Sequence, residues 1–284
     1  MIAATWIGTS WKMNKLLAEA KAFASRLREC PPPPGVRRFV IPAFPAIHTV
    51  AVALGPDSDV MVGAQNAHWE DAGAWTGEVS VPQVKDAGAT LVEIGHSERR
   101  THFNETDATV NLKVRAVVRQ GLIPLICVGE PEEVFRRREA SEYIVSQAQA
   151  ALRQVPDGSD VLIAYEPVWA IGEAGRAAEP EDLEQPFAAL TDALDGRVRA
   201  ILYGGSVTTD NAAEILAVPG VDGLFVGRAA WDVEGYLALV ELAARRGGRE
   251  LAGASSTRTA PRLASEGLDR PSVPQSTGES SCLA

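Results

Sequence analysis

The 284 residues are 46% hydrophobic and 23% charged, with a formal net charge of −10, the balance of an ordinary globular protein long enough for one large α/β barrel or two small domains. The acidic balance excludes a general nucleic-acid or anionic-membrane surface, yet a local cluster of donors can still hold an anionic small substrate. Cys30, Cys127 and Cys282 are too few and too scattered for a disulfide framework or a zinc motif; with neither a basic-then-apolar leader nor a run of ~18 apolar residues, a cytoplasmic setting is expected.

Short β-rich runs alternate with longer helical patterns, eight times over. The first run, TWIGTS (5–10), exits into Ser10 and Lys12 and is followed by a helical segment over 16–30. PPPPG (31–35) then forms a stiff loop before RRFVIPA (37–43). DVMVGAQ (59–65) exits into Gln65, Asn66 and His68, and TLVEIG (90–95) into His96 and Glu98. A helix is predicted over 107–121, with Val110, Val114, Val117 and Val118 on one stripe and a stop at Gly121. LIPLICVG (122–129) carries Cys127 and exits at Glu130; one long charged helix is predicted over 132–152. DVLIAYE (160–166) ends in Glu166, RAILYGG (199–205) leads into Ser206, and VDGLFVG (221–227) into Arg228.

Most of these strands are continuous Val/Ile/Leu runs, as parallel strands covered on both faces require. Eight strand–helix units in series fit a closed (β/α)8 barrel, a TIM barrel, over residues 1–246. An open doubly wound sheet is disfavoured because no Gly-rich dinucleotide turn follows the first strand. From Gly247 the chain is rich in Ser, Gly, Pro and Thr without a sustained apolar period, so 247–284 is expected to be a disordered tail.

In such a barrel the strand exits converge on one face. There a lysine, a histidine and a carboxylate come together beside two Gly-bearing turns, a set suited to sugar-phosphate chemistry. Glu166 stands out, because a carboxylate at the end of a buried strand is costly without a purpose. Cys127 reads as a small buried apolar residue. His96 and His102 lack a third partner at metal-ligand spacing, so no metal is expected.

The strings WKMN, GHSERR, YEPVWAIG and YGGSV, in this order along eight units, resemble the triosephosphate isomerase family over about residues 5–245. The resemblance implies a cofactor-independent isomerase that moves a carbonyl by one carbon through an enediol. It implies Glu166 as the catalytic base, His96 as the electrophile and Lys12 as the cation facing the phosphate and enediolate. Glu98 would position Lys12 or His96, and Gly172, Ser206 and Gly227 would contact the phosphate under a lid over 169–178. GAWTGEVS (73–80) matches the loop that enters a second subunit, so a homodimer is implied, with Thr76 near the partner subunit's Lys12.

Ser10 stands where the family usually has Asn, and Arg228 where it has a second Gly; the lid and the His68–Trp69 pair also depart from the usual pattern. With WIGTSWKMNK, HWEDAGAWTGE and DGLFVGRAAW, the chain is most similar to the erythrulose-phosphate isomerase branch of the family. The implied substrate is L-erythrulose 1-phosphate, converted to D-erythrulose 4-phosphate. It is dihydroxyacetone phosphate with a hydroxymethyl group added on the carbon that loses its proton. Ser10, smaller than Asn, would supply part of the added room. Triosephosphate isomerase proper and a non-catalytic phosphate-binding barrel are the alternatives.

Overall fold

A computed structural model of the chain describes residues 4–171 and 176–256, with side chains as far as Arg245. Its centre is a closed sheet of eight parallel strands in sequential order. The first half runs β1 (Thr5–Ser10), α1 (Leu17–Glu29), β2 (Val36–Ile41), α2 (Ile47–Leu54), β3 (Val60–Ala64), α3 (Val81–Asp86) and β4 (Leu91–Ile94). Two helices follow β4, α4 (Ser97–His102) and α5 (Asp107–Arg119), and two follow β5 (Ile123–Val128), α6 (Glu132–Arg136) and α7 (Ala140–Ala151). The circuit ends with β6 (Leu162–Tyr165), α8 (Pro180–Ala193), β7 (Ala200–Tyr203), α9 (Ala212–Ala217), β8 (Gly223–Val226) and α10 (Val233–Ser256). Pairing of Trp6–Thr9 with Gly223–Val226 closes the ring.

All eight predicted strands are present: β1 keeps its predicted bounds, and the other seven end earlier than predicted, where the loops begin. They read clearly because each is buried on both faces. One face packs under the helices, where Phe23, Leu27, Ile144, Phe187 and Leu239 belong to the larger apolar cluster. The other fills the barrel with Trp6, Phe39, Ile41, Leu91, Leu125, Leu162, Leu202 and Phe225. Gly8 exists to admit the Phe39 ring: a Cβ there would lie 1.9 Å from it. The strand period of two therefore alternates inside and outside of the barrel rather than core and solvent.

Local signals set the helix limits. Thr106 caps α5 through the Thr109 amide, and Gly121 (φ +73°) ends it in the left-handed region that glycine tolerates. Of the predicted stripe, Val110, Val114 and Val117 are fully buried, while Val118 is only partly so.

One expectation is corrected. The single helix over 132–152 is broken at Arg137–Glu139, with Arg138 at φ +60°. An unbroken helix would set buried Val134 about 80° away from the centre of the Ala140–Ile144–Ala148 face. The break lets both faces reach the core and turns Phe135 onto Trp169, with ring centroids 4.3 Å apart. At the other end, α10 is described as far as Ser256, and the expected tail beyond it, 257–284, lies outside the described residues. Among the described residues no helix is long and apolar enough to cross a membrane.

Candidate active site

The strand exits border a cavity of about 330 Å³ lined by Ser10, Lys12, His96, Glu166, Phe225 and the turns after β7 and β8. Lys12, His96 and Glu166, far apart in sequence, converge there.

Lys12 is held by its backbone. Its φ of +52° lies in the left-handed region, uncommon for a residue with a Cβ. Gln65 Nε2 donates to the Lys12 carbonyl at 2.9 Å, and Asn14 Nδ2 to that of Trp11 at 2.8 Å. Trp11 is fully buried against Phe23. The ammonium pairs with Glu98 Oε1 at 2.5 Å. Burial alone would raise the Glu98 carboxyl, but the Lys12 ammonium outweighs it and holds Glu98 below the usual carboxylate range.

His96 caps α4. Its Nδ1 accepts the Glu98 backbone N–H at 3.1 Å, which fixes the tautomer: the proton resides on Nε2. Burial, reinforced by the Lys12 ammonium, lowers its pKa to about 4, so the ring is neutral at physiological pH. Glu98 thus meets the lysine through its carboxylate and the histidine through its amide.

Glu166 follows β6 and is 3% exposed, its Oε1 3.7 Å from His96 Nε2. Its Oε2 is buried with no hydrogen-bond partner. Burial, then the charge of Glu93, raises its pKa to about 8. Two glycines clear its place: a Cβ on Gly204 would come within 2.7 Å of Glu166 Cγ, and one on Gly129 within 1.9 Å of its carbonyl oxygen. Cys127 is buried in the barrel as expected, and burial followed by the Glu166 charge pushes its thiol well above the usual range.

Glu93 was not anticipated. It points into the barrel from β4, 3% exposed, with Oε2 accepting the Ser10 hydroxyl at 2.8 Å and Oε1 3.9 Å from His96 Nε2. Burial raises it to about 7, against the Ser10 hydrogen bond that favours the carboxylate. A charge inside the apolar run TLVEIG was the available signal, the same that singled out Glu166. A strand buried on both faces does not show which of its residues point inward, so the charge alone does not place Glu93 beside the cavity.

At the other side of the cavity, Ser206 and Gly227 occupy the turns after β7 and β8 and border the space. The Ser206 hydroxyl donates to Ala170 O at 2.7 Å, and space for 4 Å around a Cβ at Gly227 is open. Arg228 stands exposed on the rim, its guanidinium in no hydrogen bond or ion pair with the described residues. Gly172, the third expected contact, lies outside the described residues. The shoulder before it is tied down by Trp169 Nε1, which donates to buried Glu130 at 2.7 Å, while the Arg176 guanidinium covers the Trp169 ring at 4.3 Å.

Thr76 does not border this cavity; it is exposed in the long loop after β3. Stacking of His68 between Trp69 and Trp75, at 4.2 and 4.4 Å, shapes that loop. Buried Asn66 anchors its base to Lys113, whose ammonium also meets Glu105 at 2.5 Å. Among the described residues no group of three or more His, Cys, Asp or Glu is placed to hold a metal.

Titratable groups gathered at the strand exits of a closed barrel are the layout of the (β/α)8-barrel isomerases. The chain belongs to the triosephosphate isomerase family, whose model matches residues 5–243. The L-erythrulose-1-phosphate isomerase of Mycolicibacterium smegmatis is 56% identical over 247 residues, 85% of this chain and 94% of that protein. The protein of the same description from Rhizobium rhizogenes is 51% identical over 240 residues, 82% of this chain and 92% of that one. One from Brucella abortus is 50% identical over 240 residues, 82% and 93% of the two chains.

Proposed function

We propose that the protein interconverts L-erythrulose 1-phosphate and D-erythrulose 4-phosphate through an enediol. The observation that carries the chemistry is the pair Glu166–His96: a buried carboxyl with an unpartnered oxygen, 3.7 Å from the Nε2 of a neutral imidazole. Glu166, as carboxylate, takes the proton from carbon 3 and returns it to carbon 2. His96 Nε2–H donates to the carbonyl oxygen and moves the hydroxyl proton from one oxygen to the other, so the atoms balance without a co-reactant. Lys12 offsets the negative charge that develops on the oxygens. Ser206, Gly227 and Arg228 receive the phosphate, with backbone N–H groups and one guanidinium.

The substrate follows from the names of relatives at 50–56% identity and from Ser10, whose small side chain borders the cavity beside Lys12. Comparing kcat/KM for L-erythrulose 1-phosphate and dihydroxyacetone phosphate tests it; a strong preference for the triose returns the chain to triosephosphate isomerase proper. Solvent hydrogen entering carbon 2 or 3 during turnover tests the isomerase chemistry, and its absence with both sugars leaves a phosphate-binding barrel.

The working form is a homodimer built through the loop bearing Thr76. Exposed apolar residues near the strand exits support it: Met13 is 96% exposed, Phe103 63% and Trp75 49%. Sedimentation velocity on the wild type and on Trp75→Glu tests it; a wild-type monomer refutes it.

A further inference from the structure

Ser10 and Glu93 have no part in the proton transfers described above, yet both are polar, buried and at the floor of the cavity. They project inward from opposite sides of the barrel, β1 and β4, and meet through the Ser10 Oγ–Glu93 Oε2 hydrogen bond of 2.8 Å. Ser10 borders the cavity, whereas Glu93 is sealed beneath it. They lie close to the reacting groups: Ser10 is two residues before Lys12 and Glu93 three before His96.

A buried carboxyl in an otherwise apolar barrel is costly, and the packing shown does not require one. What it does is fix a hydroxyl rotor. A serine has one proton to give, and here that proton is committed to Glu93. The lone pairs of Oγ are then free only to accept, and the cavity is where an incoming donor can reach them. The floor of the pocket therefore presents an oriented acceptor made for a substrate hydroxyl.

The tetrulose phosphate carries one hydroxyl more than the triose phosphate, on its terminal carbon. With the phosphate at the turns after β7 and β8 and the reacting carbons beside Glu166 and His96, the substrate grows at its end remote from the phosphate. Its terminal CH2OH then descends toward the layer of Ser10 and Phe225. We infer that Ser10 Oγ accepts a hydrogen bond from the terminal hydroxyl of the four-carbon sugar and that Glu93 is the positioning residue that orients Ser10 for it. This rests on the tetrulose-phosphate reading above. It turns the pocket from one that merely has room for an added CH2OH into one that rewards its hydroxyl, the arrangement that gives strong discrimination.

The test measures kcat/KM for both sugars in wild type, Ser10→Ala, Glu93→Leu and Glu93→Gln. The ratio of tetrulose to triose phosphate should fall about 10- to 100-fold in Ser10→Ala and Glu93→Leu, the range expected for losing one oriented hydrogen bond. Glu93→Gln keeps an acceptor for Ser10 and should restore most of the ratio, which distinguishes orientation from packing. If activity on both sugars falls in parallel, Glu93 acts through His96 or the barrel and the inference is overturned. The same holds if Glu93→Gln loses the ratio as fully as Glu93→Leu. A wild-type enzyme that prefers the triose overturns the substrate reading and this inference together. A wild type that prefers the tetrulose, with an unmoved ratio in Ser10→Ala, overturns this inference alone.

Discussion

The two sides of the cavity are built from different materials. On the β7–β8 side the chain offers turns, glycines and an exposed arginine, so a phosphate there meets backbone and solvent-facing charge. On the β1–β4–β6 side it offers buried ionisable side chains whose pKa values are pushed toward neutrality or below, Glu166 to about 8, Glu93 to about 7 and His96 to about 4. The first arrangement can hold a charge that does not change during the reaction. The second can respond to one that does, because low polarity makes each proton's position expensive to get wrong. Substitutions on the two sides should therefore fail differently, the first in KM and the second in kcat and its pH dependence.

The sharpest break should come at Glu166→Gln, which keeps shape and removes the base. A fall in kcat of about 10²–10⁴-fold is expected with phosphate-analogue affinity retained, checked by steady-state kinetics and calorimetric titration. Next is Gly204→Ala. Its Cβ would press within 2.7 Å of Glu166 Cγ, and displacing a base by a fraction of an ångström should cost kcat about 10- to 100-fold. A Gly204→Ala enzyme with normal kcat would show that the glycine does not hold the base in register.

Glu93→Gln should act on pH rather than on magnitude. Removing that neighbouring charge lowers Glu166, so the acidic limb of kcat/KM, near pH 8 in the wild type, moves to lower pH. Stability follows the same groups. Glu93 and Glu166 both have folded pKa values above the ordinary 4.5, so their contribution is present below about pH 4.5 and lost as pH rises through 7 to 8. His96, lowered from 6.5, adds a loss as pH falls from 6.5 through 4. Urea midpoints between pH 5 and 8 should therefore decline less in Glu93→Gln than in wild type. The smallest effect belongs to Arg228→Ala, a rise of a few-fold in KM with kcat held, consistent with an exposed charge worth up to about 1 kcal/mol. A fall in kcat at constant KM there would erase the contrast between the two sides.

Most of the barrel could be read from the chain because parallel strands buried on both faces appear as uninterrupted Val/Ile/Leu runs. Lys12, His96 and Glu166 could be read because each is a polar residue at such a run's exit. The same double burial hid Glu93: with no solvent face, alternation along TLVEIG does not distinguish the barrel interior from the helix layer, and only pairing across the ring brings Glu93 to Ser10. The interruption at Arg138 was hidden for a related reason. Helix-forming residues run without pause from 132 to 152, and what divides them is the direction of two separate core contacts. Asn66, Glu105 and Lys113 likewise gain their meaning only from one another.

The left-handed backbone of Lys12 has a consequence for how this protein can change. At that position the backbone would be more comfortable with glycine or asparagine, by about 1 kcal/mol, while the cavity wants an ammonium. Natural variation and directed evolution thus meet two opposed gradients at one residue. A screen for thermal robustness is expected to favour Lys12→Gly and lose the proposed cation, whereas a screen for turnover is expected to keep a locally uncomfortable residue and look elsewhere for stability.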